Sequence, residues 1–294
     1  MPSCKKCDKV VTMRLTGLVL DSLNLKKLRF ILLSVALIGV CYGLAASFVS
    51  SGSVPYPASL GVYVVFIALV SVLSSLFVQY LGGGSRGAKM VFFTGVMPFM
   101  LAVGCFMLFV YFPNLSLAIK ILAGLFNVSL LYTLLLLNNV LLVVGSRETS
   151  IPVYRVALNW VQVVLLAVSL ILFTSIFKTA LQPLIQVALI MLCAYVFYQY
   201  LLWVYSSDRD IKQLKYLEAL TLCLTSTLLV GWAACMVLFF ATESFLRGIF
   251  IASVFLFGLG YIQLYLKNEL SRKGIRDYVL ICAIFLGILV VFRP

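Results

Sequence analysis

What most constrains this chain is a succession of nine apolar runs, each near the length that crosses a lipid bilayer, separated by short gaps that hold the charge. The runs fall at 30–50, 58–81, 90–112, 116–144, 155–177, 183–205, 217–241, 246–266 and 278–292. A helix of about 20 residues crosses the roughly 30 Å hydrocarbon layer and satisfies its backbone hydrogen bonds internally. Hydrophobic residues make up 64% of the 294 positions and charged residues 11%, against about 45–50% and 25% in a soluble domain. The pattern predicts an all-α, polytopic transmembrane helix bundle of about nine spans. Residues 1–29 read as a basic cytoplasmic tail, partly disordered, and 30–294 as a single transmembrane helical domain. The last run is the shortest and needs Arg293 to snorkel to the interface; the fourth is the longest and is expected to tilt.

The formal charge of +13 would suggest nucleic acid in a soluble protein. Here the cations sit between apolar runs, where they set topology, and no nucleic-acid partner is expected. Assigning alternate gaps to opposite sides places eighteen Lys and Arg with the N-terminal tail. Only Lys120, Lys178, Arg247 and Arg293 fall on the other side. That asymmetry predicts N-in, C-out, in the cell (cytoplasmic) membrane, with anionic headgroups of the cytoplasmic leaflet as partners. The gaps are too short for a soluble module, so activity belongs within the membrane or at its surfaces. A basic stretch, an apolar run and Ala45-Ala46-Ser47 also resemble a signal peptide. We read a retained anchor, because the run is long and Gly39, Gly43 and Ser47 recur every four residues as in close helix packing. Cleavage would leave eight spans.

The chain has no histidine, which removes Ser-His and Cys-His nucleophilic sites and imidazole relays. None of the nine carboxylates lies clearly inside a run. Asp208 and Asp210 flank Arg209 in an inner gap, where two carboxylates bind Mg²⁺ weakly without a phosphate substrate; a solvated loop with Lys212 and Lys215 as counter-charges is the plainer reading. Six cysteines lie in apolar runs and act as small hydrophobes. Cys4 and Cys7 resemble half of a zinc knuckle, two ligands short of a tetrahedral site. No cofactor and no catalytic residue is expected.

Pro98 interrupts the third run and removes the helical hydrogen bond to the Thr94 carbonyl, so a kink is expected there. Amides and tyrosines gather toward the cytoplasmic thirds of the runs, with Asn127 and Gln186 as exceptions. Thr94, Pro98, Asn138, Asn139, Asn159, Gln162, Tyr195, Gln199, Tyr261 and Gln263 are therefore candidates to line a cavity open to the inside. The competing reading is an interfacial aromatic belt with interhelical hydrogen bonds. Leu108-Phe109, Leu172-Phe173 and Leu238-Phe239, each followed by Tyr132, Tyr195 or Tyr261, suggest three repeated hairpins or a coincidence of common residues.

The segment Tyr132–Arg155, YTLLLLNNVLLVVGSRETSIPVYR, resembles a stretch in a group of uncharacterised small-genome bacterial membrane proteins. There an apolar helix ending in Asn leads into an Arg-Thr-Ile-Pro turn. This chain departs from it by Glu148 and Ser150. The resemblance implies a polytopic bacterial protein and adds no function.

Three functional classes follow. The first is a non-enzymatic membrane component, a scaffold or accessory subunit with a membrane-protein partner. The second is a carrier for a neutral or lipid-like substrate with an inward-facing cavity. The third is a membrane enzyme acting on a cytoplasmic phosphorylated substrate through Glu148, Asp208 and Asp210.

Overall fold

The computed structural model describes residues 31–41, 43–44, 65–67, 69–70, 73, 88–112, 116–146, 152–179, 181–206, 214–269 and 271–292. Among these residues the regular structure is entirely α-helical. A short apolar helix, α1, covers Ile31–Cys41. Seven long ones follow: α2 (Ala88–Tyr111), α3 (Leu117–Ser146), α4 (Pro152–Lys178), α5 (Pro183–Ser206), α6 (Tyr216–Leu238), α7 (Ser244–Leu266) and α8 (Arg272–Val291). Each of the seven is long and apolar enough to cross a membrane, so the chain is built as a multi-pass membrane protein. They match the third to ninth runs. The first run is described mainly as α1, and the second at six helical residues around Ile67. The tail, Cys4, Cys7, Glu148, Asp208 and Asp210 lie outside the described residues.

Helix ends follow caps more closely than hydropathy. α8 begins six residues before its apolar run, because the Ser271 side chain accepts a hydrogen bond from the Gly274 N–H at 3.1 Å and starts the helix there. Arg272, Lys273 and Arg276 consequently sit on the helix itself. α7 ends where Asn268 adopts φ 54° and the Glu269 N–H reaches back to the Leu264 carbonyl at 3.0 Å. That left-handed residue with its six-to-one bond is a Schellman stop, a position asparagine tolerates.

α4 and α7 form the centre. α4 packs against α2, α3, α5 and α7, while α7 also meets α5, α6 and α8. Phe255 anchors this core: its ring lies 5.9 Å from that of Phe173, 5.7 Å from Phe197 and 4.9 Å from Tyr198. The Tyr198 hydroxyl donates to the Phe255 carbonyl at 3.2 Å, so the buried phenol is satisfied across the α5–α7 contact. The close approach of α7 to α4 depends on Gly248. A Cβ there would stand 3.0 Å from the Thr174 Cα and against its Oγ1.

α8 is peripheral. It meets α7 through Tyr278, which fills the space over Gly260, and through the Cys282 thiol, which donates to the Ser253 carbonyl at 3.4 Å. Leu289 is its one buried side chain. Val279, Leu280, Ile284 and Val290 are exposed from the bundle, where apolar side chains are stable against lipid tails or another apolar protein surface alike.

Two sequence expectations change. Phe109 and Phe173 are buried but Phe239 is 87% exposed, so the three Leu-Phe pairs do not occupy equivalent places and the hairpin repeat is not upheld. Gly39 and Gly43 do not support close packing either: a Cβ at either meets nothing within 4 Å. These two glycines leave space among the described residues.

Candidate functional site

Pro98 has no N–H, so the helical donor for the Thr94 carbonyl is missing from α2. Asn138 of α3 supplies one: its Nδ2 donates to the Thr94 carbonyl at 3.1 Å. The amide orientation is fixed by this contact, because a carbonyl can only accept. Asn138 Oδ1 is thereby turned toward α5, where the Tyr200 hydroxyl donates to it at 2.8 Å. Thr94, Asn138, Pro98 and Tyr200 are all buried. Trp203, one turn further along α5, stacks on Phe93 of α2 with centroids 5.3 Å apart and planes 11° apart. The backbone break of one helix is thus closed by the side chains of two others.

A second junction joins α4, α5 and α7. Gln162 Nε2 donates to Gln263 Oε1 at 2.7 Å and to the Tyr205 hydroxyl at 3.1 Å. Gln162 and Gln263 are half-buried, Tyr205 fully. α5 takes part in both junctions, with Tyr200 in one and Tyr205 in the other, so five of the seven long helices are tied by side-chain polar bonds. Such interhelical bonds are worth about 0.6 kcal/mol on average and up to about 1.7. Gln162→Leu and Gln263→Leu are each expected to lower stability by about 1 kcal/mol. In a double-mutant cycle the pair should cost less than the sum of the singles; strict additivity in detergent unfolding would show that the bond contributes nothing.

The sequence candidates therefore divide. Thr94, Pro98 and Asn138 come together in the first junction, Gln162 and Gln263 in the second. Gln199 Nε2 donates to the Tyr195 hydroxyl at 3.1 Å, one turn away on the same helix. Asn139 and Tyr261 are half-buried, and Asn159 is exposed from the bundle. The two amides that broke the inward bias serve backbone groups: Asn127 donates to the Ala123 carbonyl at 2.8 Å. Gln186 donates to the Thr179 carbonyl at 2.8 Å, closing the α4–α5 turn.

Cations at the opposite ends of the helices also have structural partners. Lys178 stands 5.5 Å from the centroid of the Phe112 ring, within cation–π reach. An Arg247 terminal nitrogen donates to the Phe240 carbonyl at 2.8 Å across the α6–α7 turn. Lys120 lines an apolar groove beside α1. Among the described residues no group of three or more Cys, Asp or Glu side chains converges as a metal site would require.

The chain matches no protein-family model, no curated protein and no solved structure. What can be said of function comes from geometry. Residue types suggested Thr94, Asn138 and Gln162, and Tyr200 and Tyr205 belong to the tyrosines gathered toward the cytoplasmic ends of the runs, while nothing in the sequence singles out Trp203. Nothing in the spacing pairs Thr94 with Asn138 across 44 positions. Only the missing N–H of Pro98 signals that such a partner is needed.

Proposed function

We propose that this protein is a non-enzymatic membrane component, a scaffold or accessory subunit that holds a membrane-protein partner. We read it with nine spans, its N-terminus in the cytoplasm, in a bacterial inner membrane. The observation that carries the reading is the use made of the buried polar groups: Asn138, Tyr200, Gln162, Tyr205 and Gln263 bond to one another or to backbone, joining helices. Side chains that grip a substrate in a transport cycle need free hydrogen-bonding capacity toward a cavity. The fully buried Asn138 and Tyr200 spend theirs on the bundle. α8, attached along one side only and apolar on the rest from Val279 onward, is the face we assign to the partner.

The test is purification of the full chain in lipid nanodiscs after crosslinking in the membrane. A stoichiometric membrane-protein partner with crosslinks at Val279, Leu280 or Ile284 is expected. A chain that purifies alone, and whose deletion leaves all other membrane complexes intact, would overturn the reading. For topology, a reporter fused after residue 54 is expected on the outer side.

The half-burial of Gln162, Gln263, Asn139 and Tyr261 favours one second reading, a carrier for a neutral or lipid-like substrate opening to the cytoplasm. It requires water to reach this level of the bundle. A cysteine at position 263 should then react with a membrane-impermeant thiol reagent from the cytoplasmic side, whereas in a scaffold it should stay protected.

A further inference from the structure

We propose that the groove between α1 and α3 binds an anionic phospholipid, one acyl chain lying in the groove and the phosphate at Lys120. The groove encloses about 380 Å³ and is lined by Val35, Ile38 and Gly39 of α1, Phe109 of α2 and one face of α3 from Lys120 to Val128. Its walls are apolar apart from Lys120. The space exists because glycines face it from both sides: neither Gly39 nor Gly124 would meet any atom within 4 Å if it carried a Cβ.

The groove has the polarity of a lipid. Lys120 stands in the first turn of α3, and its N–H makes the helix's opening bond to the Ser116 carbonyl at 3.0 Å. The N–H groups of Leu117, Ala118 and Ile119 precede that bond, so the positive helix end and the ammonium lie together where a phosphate would sit. Val128 lies eight residues deeper, about 12 Å along the axis at 1.5 Å per residue. That approaches the depth of one leaflet, half of a roughly 30 Å hydrocarbon layer. Charge at the rim and hydrocarbon below match headgroup and chain in order.

Charge complementarity selects this occupant: the groove offers one cation at its rim and no other polar side chain among its lining residues, which suits one anionic headgroup with a chain behind it. The proposal uses the membrane reading of the chain but neither its orientation nor its role as a scaffold.

The test uses the full chain in nanodiscs containing phosphatidylglycerol with a photoactivatable diazirine in one acyl chain, compared with the phosphatidylcholine analogue. Adducts from the anionic probe are expected on α1 and on 121–128 at least fivefold above those on the exposed face of α6 around Leu228 and Trp232. Gly124→Leu, which fills the groove from α3, should reduce them about fivefold, and Gly39→Leu, which fills it from α1, should do the same should the first variant not fold. Lys120→Gln should abolish the preference for the anionic probe. Labelling spread evenly over the lipid-facing helices would overturn the proposal, as would equal labelling by both probes in the parent chain. Indifference to a folded groove-filling variant would overturn it too. So would covalent links between two copies of the chain in place of lipid adducts.

Discussion

Asn138→Leu is expected to destabilise the bundle by about 3 kcal/mol. Leucine has the branched outline and heavy-atom count of asparagine, although its methyl groups are bulkier than the amide, so the loss is chiefly of bonding. It withdraws the donor that Asn138 supplies to the Thr94 carbonyl and the acceptor of the Tyr200 hydroxyl, and a buried polar group deprived of its partner costs about 1–3 kcal/mol. The diagnostic measurement is the same substitution made in a Pro98→Ala background. Alanine restores the N–H at position 98, and with it a helical donor for the Thr94 carbonyl. Asn138→Leu should then cost about 1 kcal/mol less than in the parent chain, a coupling read from thermal or steric-trap unfolding in detergent. Equal costs in the two backgrounds would show that Asn138 does not compensate for the proline.

Gly248→Val should be comparably damaging for the opposite reason. The added carbons meet the Thr174 Cα at 3.0 Å and its Oγ1, and a backbone atom cannot rotate away as a side chain can. α7 must shift off α4, disturbing the packing of Phe173 and Tyr198 on Phe255. Overpacking of this kind costs about 1–3 kcal/mol and occasionally more; we expect about 3. Gly124→Val is the control, since it enters open space and should leave the unfolding midpoint nearly unchanged. Similar losses from both would mean that glycine is needed for something other than contact.

How far these features could be read in advance depends on whether the signal is local. Apolar length is local, so the runs at 90–112 through 278–292 reappear as α2 to α8 with ends moved by a few residues. The largest shift, at α8, arose because hydropathy begins at the apolar run whereas the helix begins at its Ser271 cap. Pro98 was legible as a broken bond, again a local property. Its remedy was not, because Asn138 looked like any other amide near a membrane surface, and the pairing is a property of helix arrangement. Gly39 and Gly43 misled for a related reason. Four-residue spacing describes which residues share a face, but says nothing about whether another helix comes close to it.

The bond between Asn138 and the Thr94 carbonyl also bears on how the chain is made. Synthesis runs from α2 toward α3, so the ribosome completes the interrupted helix well before the residue that mends it, 44 positions after Thr94, has been added. Until then an exposed carbonyl must be sheltered from hydrocarbon by water, by the insertion machinery or by a passing hydroxyl. α2 and α3 accordingly have reason to leave the translocon as a pair, and a pause inserted between them should expose the nascent chain to quality-control proteolysis.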